Sequence, residues 1–281
     1  MHRTRLIGLS KRRLIQLTTL ALTNPLLLNL IDGRLYKGAL KNICAPGLNC
    51  WSCPAAVLAC PIGAIQTIGG SMNFNISFYA IGVVILIGLL IGRVVCGYLC
   101  PFGLFQELLF KISTKKFTLP RGANYAKYFV LIVFVLIMPI AVTNYAGTGA
   151  PTFCEYICPA GTLEAGIPML ITHPEFRAVL GKLFALKIAL LLIVIVGSVC
   201  VERFFCRVLC PLGAIYGLLN SRSCFRLQFD ETKCVECGRC RSTCPMAVDP
   251  TKCGNSIECI RCKKCAAQCP KQAIDFNFSP K

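Results

Sequence analysis

Near the C-terminus the cysteines fall as Cys234-x2-Cys237-x2-Cys240-x3-Cys244-Pro245, and again as Cys259-x2-Cys262-x2-Cys265-x3-Cys269-Pro270. A chain that repeats this spacing has little freedom in how it folds there. Cysteines two residues apart put their thiolates on one tight loop, and a distant cysteine braced by proline closes the cage from a neighbouring segment. Zinc sites also use C-x2-C pairs, but not three cysteines at this spacing followed by C-P, twice over. A disulfide scaffold is disfavoured by flanks rich in Lys and Arg and by the lack of a secretory signal.

The spacing is that of two-cluster bacterial ferredoxins, in which the fourth cysteine of one run ligates the cluster built by the other. The expected ligands are Cys234, Cys237, Cys240 and Cys269 for one [4Fe-4S] cluster, and Cys259, Cys262, Cys265 and Cys244 for the other. Everything before residue 220 then exchanges electrons with this module or holds it in place.

With 55% hydrophobic and 15% charged residues over its whole length, the chain belongs in a bilayer. The net charge of +18 matches a nucleic-acid binder in size but not in distribution, because much of it flanks apolar segments. No nucleic-acid partner is expected. Twenty-one cysteines point to metal thiolates made in a reducing compartment. The only histidines are His2 and His173, which leaves no pair for a bis-histidine haem in the membrane.

Apolar stretches at residues 14–31, 76–95, 128–145 and 184–201 are each long enough to cross a bilayer. Arg3, Arg5, Lys11, Arg12 and Arg13 precede the first, and Lys111, Lys115, Lys116, Arg121 and Lys127 separate the second from the third. The other two connections carry fewer basic residues, so the positive-inside rule puts both termini in the cytoplasm. The expected fold is an all-α membrane protein with four transmembrane helices in two parallel repeats over residues 1–220. A small C-terminal two-[4Fe-4S] ferredoxin-type domain over residues 221–281 would face the cytoplasm.

One signature recurs four times in the membrane half: Cys60-Pro-Ile-Gly, Cys100-Pro-Phe-Gly, Cys158-Pro-Ala-Gly and Cys210-Pro-Leu-Gly. Proline favours the first helical position, so each preceding cysteine meets free backbone N–H groups and the positive end of a helix dipole. That is a place for a thiolate. Two copies extend to Arg93-x2-Cys96-x3-Cys100 and Arg203-x2-Cys206-x3-Cys210, which makes Cys96, Cys100, Cys206 and Cys210 the expected ligands of an inner Fe-S cluster. Arg93 and Arg203 would flank it as countercharges. On the outer side, Cys53, Cys60, Cys154 and Cys158 form a second complete shell, with Cys44 and Cys50 as alternates or as partners of one another. Disulfides among these six are the competing reading. Cys200, Cys224 and Cys253 have no place in either scheme, and Lys187 reads as a snorkelling lysine at the end of the fourth span.

The run Cys44-x5-Cys50-Trp51-Ser52-Cys53-Pro54-x5-Cys60-Pro61-Ile62-Gly63, the paired C-x3-C-P motifs and the double cysteine run together resemble the NapH/MauN-type polyferredoxin membrane proteins. The resemblance covers nearly the whole chain. It implies a multi-pass protein of a prokaryotic cell membrane that serves as the membrane subunit of a quinol dehydrogenase. Such a subunit links the quinone pool to other redox subunits through a chain of Fe-S clusters. Glu164 and His173 could then accept quinol protons, although a solvated loop accounts for them equally well. The alternatives are a quinone-independent conduit to an extracytoplasmic acceptor, a thiol-disulfide relay in the outer cysteines, and a non-catalytic redox sensing or assembly protein.

Overall fold

Helix α1 runs Arg3–Thr23 and stops there, because Pro25 lacks an N–H and drives Asn24 out of the helical region. The apolar stretch expected at residues 14–31 is therefore not one helix. Asn24 turns the chain instead, with its side-chain amide on Leu20 O at 3.3 Å and on Asn49 Oδ1 at 3.0 Å. The following backbone is stitched to the cysteine-rich segment by Leu26 N–H to Ala55 O at 3.2 Å and Val57 N–H to Thr23 O at 3.1 Å. Residues 3–68, 74–142, 150–252 and 255–278 are described by this computed structural model, and they are mostly helical.

Three further long helices follow: α2 Phe74–Ile91, α3 Gly122–Ala141 and α4 Lys182–Cys200. They overlap the stretches expected at 76–95, 128–145 and 184–201, with residues 143–145 outside the described part. Both α3 and α4 are long and apolar enough to cross a membrane; the apolar part of α2, Phe78–Ile91, is shorter. Each long helix leaves large apolar side chains uncovered, among them Leu22, Leu86, Ile140 and Val196. Such surfaces suit contact with hydrocarbon, where the helical backbone satisfies its own polar groups.

Helix α2 ends before its apolar sequence does. Gly92 takes φ +60°, the left-handed C-terminal stop, and a Cβ there would lie 2.4 Å from Asn220 Oδ1. Asn220 needs that position because its Oδ1 accepts Arg93 N–H at 3.1 Å. Gly92→Ala should therefore destabilise the fold by more than about 1 kcal/mol, read as a lower midpoint in thermal unfolding of the detergent-solubilised protein.

At the C-terminus, strand β1 Phe225–Phe229 pairs antiparallel with β2 Ile274–Phe278, with Phe225 opposite Phe278 and Phe229 opposite Ile274. Side chains alternate across the ladder, so Leu227, Ile274 and Phe276 are buried against Cys265 while Phe278 stays exposed. The strand pair draws the ends of the segment together and holds both cysteine runs between them. Their local geometry repeats. Left-handed backbone occurs at Glu236, Gly238 and Ala247 in the first run and at Arg261, Lys263 and Gln272, the matching positions, in the second. A non-glycine residue there costs roughly 1–2 kcal/mol, and surroundings must over-determine the conformation for it to persist.

Candidate iron-sulfur sites

In the C-terminal module, Cys234, Cys237, Cys240 and Cys269 line one cavity of about 720 Å³. Cys244, Cys259, Cys262 and Cys265 line another, shared with Ile260 and Met246. In each case three cysteines come from one run and the fourth from the other. The first cavity lies toward solvent, where Cys237 is exposed. The second lies against the helical half of the chain, since Cys244 and Cys262 pack on its core.

All four C-P-x-G motifs open helices in the expected way. Each places a glycine three residues after its cysteine, and at Cys210 that glycine's N–H bonds the sulfur, Gly213 N–H to Cys210 Sγ at 3.3 Å. These glycines also make room. A Cβ at Gly103 would meet Arg203 Nη1 at 3.2 Å, and one at Gly213 would meet Arg93 Nη2 at 3.3 Å. Each arginine thus packs on the motif of the other repeat.

The inner cysteines come together. Cys96, Cys100, Cys206 and Cys210 are all buried, and Cys210 lies within electrostatic reach of the other three. Cys96 sits in a π-helical turn, Val95–Leu99, a distortion common at functional sites. Both arginines are wholly buried and paired. Arg93 Nη1 reaches Glu258 Oε2 at 3.0 Å and Ile257 O at 2.8 Å, and Arg203 Nη2 reaches Glu107 Oε1 at 2.7 Å. Lys127 joins Glu258 and Arg12 joins Glu107 in short ion pairs. Burial disfavours ionised carboxyls, yet Arg93 and Lys127 hold Glu258 below the ordinary carboxylate range, as Arg203 and Arg12 do Glu107.

The inner motif also holds the ferredoxin-type module. Asn220 Nδ2 donates to Ser256 O at 2.7 Å and to Cys259 O at 3.0 Å. Gly97 lies so close to the same loop that a Cβ would stand 2.7 Å from Ile260 O.

On the outer side, the structure separates the expected four. Cys60, Cys154 and Cys158 line a cavity of about 270 Å³, and Cys50, not Cys53, is the fourth cysteine around it. Cys53 packs with Ala55, Ala56 and Ala165, and its Sγ donates to Glu164 O at 3.2 Å. Cys44 belongs to a further cluster with Ala64 and Ala80. Lys187 lines the cavity with its Nζ 3.5 Å from Cys154 O, so it does more than snorkel. Glu164 Oε2 accepts Cys50 N–H at 2.8 Å, and burial pushes its carboxyl up to about 7. His173 is taken up by Glu175 at 3.1 Å and packs against Gly33. Cys200 and Cys224 are half-buried outside these cavities, and Cys253 lies outside the described residues.

Several contributors escape a reading by cysteine spacing. Gln66 and Gln106 are fully buried and act alike: Gln66 donates to Cys154 Sγ at 3.1 Å and accepts Phe153 N–H at 2.8 Å, and Gln106 donates to Cys206 Sγ at 3.1 Å and accepts Phe205 N–H at 2.9 Å. The signal was present as Cys60-x5-Gln66 with Phe153-Cys154, matched by Cys100-x5-Gln106 with Phe205-Cys206. The peptide between Leu48 and Asn49 is another. Leu48 lies beside Cys100 and Asn49 beside Cys60, so neighbouring residues adjoin the inner and outer sets. The buried Tyr216, packed in the core that also holds Cys60, Cys96 and Cys100, donates its hydroxyl to Pro46 O at 3.1 Å.

Sulfur-directed N–H donors, buried cations and sets of four cysteines fit Fe-S clusters, whose potentials depend on hydrogen bonds to sulfur and on local charge. Among the described residues, no three His, Cys, Asp or Glu side chains converge closely enough for a single metal ion. Fold and sites together define a ferredoxin-type [4Fe-4S] electron-transport protein. A family model described as a 4Fe-4S binding domain matches residues 72–120, 128–168 and 183–227, each segment carrying one C-x3-C-P motif. The chain is 32% identical over 206 residues to an uncharacterised protein of Methanocaldococcus jannaschii, covering 71% of this chain and 78% of that one. It is 29% identical to the methylamine utilization ferredoxin-type protein MauN of Paracoccus denitrificans, over 55% of this chain and 48% of MauN. To the ferredoxin-type protein NapH of Escherichia coli it is 27% identical, over 59% of this chain and 52% of NapH. The chain belongs to this NapH/MauN family of ferredoxin-type 4Fe-4S proteins. No solved structure matches it.

Proposed function

We propose that this protein carries single electrons between the membrane quinone pool and partner redox subunits, as the membrane subunit of a quinol dehydrogenase. Residues 1–220 form a four-span domain of two parallel repeats with both termini cytoplasmic, and residues 221–281 form the two-cluster domain. The reciprocal packing of Arg93 on Gly213 and Arg203 on Gly103 supports a repeat axis between the inner motifs. Cys234, Cys237, Cys240 and Cys269 hold one [4Fe-4S] cluster; Cys259, Cys262, Cys265 and Cys244 hold the second. Cys96, Cys100, Cys206 and Cys210 hold an inner centre, and the outer cysteines a fourth. When bound, the clusters supply one-electron carriers at fixed positions.

The observation that carries this reading is the order of contacts. The Leu48–Asn49 peptide lies between the outer and inner cysteines, and Gly97 lies against Ile260 between the inner set and the second ferredoxin-type set. A hydrocarbon core about 30 Å thick is too wide for one electron step; a row of neighbouring sites divides it. The protein's own residues do the rest. Arg93, Arg203 and Lys187 offset thiolate charge, Gln66 and Gln106 orient sulfur, and the helix starts donate N–H groups.

Cys158→Ser tests the row at its outer end. Quinol-driven reduction of the C-terminal clusters, followed optically in liposomes, should fall at least tenfold, while chemical reduction of the same clusters stays as in the parent. An unchanged quinol rate sinks the outer centre. Turnover with an extracytoplasmic acceptor in quinone-free detergent would favour the conduit, and no turnover with any donor would favour the sensor.

A further inference from the structure

Cys50 stands ten residues before Cys60, so no copy of the C-x3-C-P-x-G repeat includes it. In the inner site the position four residues before Cys100 is Cys96, and the corresponding position before Cys60 is Ala56. The outer site therefore has three of its four ligands from the repeat, namely Cys60, Cys154 and Cys158, and must take the last from elsewhere. Cys53 and Cys50 are the nearest sources in sequence. The fold distinguishes them. Cys53 N–H bonds Cys50 O at 3.3 Å, closing a turn that leaves Cys53 Sγ on Glu164 O and among small apolar side chains. Cys50 borders the 270 Å³ cavity, and a Cβ added at Gly161 would lie 3.5 Å from its Sγ. Gly161 belongs to the Cys158 motif, so Cys50 occupies the place over this glycine that the arginines occupy over Gly103 and Gly213.

We propose that Cys50, Cys60, Cys154 and Cys158 are the four ligands of an outer iron-sulfur centre, with Gln66 as its buried N–H donor and Lys187 as its countercharge, and that Cys53 is not a ligand. Four thiols spread around this much space suit a multi-atom cluster better than a zinc ion, whose sulfur ligands lie about 2.3 Å from it. Gln66 is wholly buried and bonds Cys154 Sγ at 3.1 Å, the same contact that Gln106 makes with Cys206 at the inner set. Lys187 Nζ enters from α4 on the side of Cys154. Its position answers the anionic burden of four thiolates, as Arg93 and Arg203 do at the inner set. This inference rests on the electron-transfer reading above but concerns ligand identity alone.

The test uses the full chain, purified anaerobically in detergent, with iron and acid-labile sulfide counted and the reduced clusters resolved by EPR. Cys50→Ser should lose one cluster's worth of iron, as Cys158→Ser does, and Cys53→Ser should keep the parental content. Signals of the C-terminal pair should persist in all three. Their loss would count against the electron-transfer reading rather than the ligand assignment. Iron loss in Cys53→Ser, or parental iron in Cys50→Ser, overturns the proposal. A milder pair keeps it testable where Cys50→Ser does not fold. Gly161→Ala, with its methyl 3.5 Å from Cys50 Sγ, should shift the midpoint potential of the centre that Cys158→Ser removes. Gly82→Ala, in α2 with nothing within 4 Å, should leave it unchanged. Equal potentials in these two variants also overturn it.

Discussion

Replacing Glu258 with Ala should free the C-terminal module from the helices that hold it. Arg93 and Lys127 are both wholly buried, and both direct their charge at this one carboxylate. Without it two cations remain in a site that water does not reach, and breaking a buried ion pair from one side costs about 3–5 kcal/mol. Whole domains are stable by about 5–15 kcal/mol, so the loss is a large share of what holds the interface. The loop carrying Glu258 also holds Cys259, and Asn220 fixes its carbonyls. Release should therefore expose the loop. The expected readout is faster proteolysis between residues 220 and 258 in detergent, with a lower midpoint of thermal unfolding. Lys127→Met leaves the Arg93–Glu258 pair in place and should cost much less. Equal protease resistance of Glu258→Ala and the parent would refute the coupling.

Cys210→Ser should stop electron passage at the middle of the row. Its sulfur accepts Gly213 N–H and belongs to the four-cysteine set between the outer cysteines and the ferredoxin-type module. Serine retains the shape but presents an alkoxide-forming oxygen in place of a soft thiolate, which disfavours iron-sulfur ligation. Iron should fall by one cluster's worth, and quinol-driven reduction of the C-terminal clusters should fall by about two orders of magnitude or more, since the span of about 30 Å is then crossed with its central site missing. Direct chemical reduction of those clusters should be unaffected. A parental iron count in Cys210→Ser would remove the inner centre from the proposal.

The two C-terminal sets were legible because C-x2-C spacing is local: three sulfurs are fixed by a few backbone angles, and those angles recur at Glu236 and Arg261. The helix starts at the four C-P-x-G motifs were legible for the same reason. The first apolar stretch misled because Pro25 breaks within it, and hydropathy counts residues without asking which backbone can carry them. The long helices α3 and α4 follow their apolar runs closely.

Residue identity and short-range spacing determined where thiolates and helix starts lie along this chain, because both depend on bonds and angles within a turn or two. Which remote groups meet was decided only by tertiary structure. Glu258 lies 165 residues from Arg93, and Glu164 lies 114 residues from the Cys50 amide it accepts. No periodicity encodes such pairs. They exist because helices packed around a buried core bring these groups within reach of one another, and a buried charge stripped of its partner costs several kcal/mol.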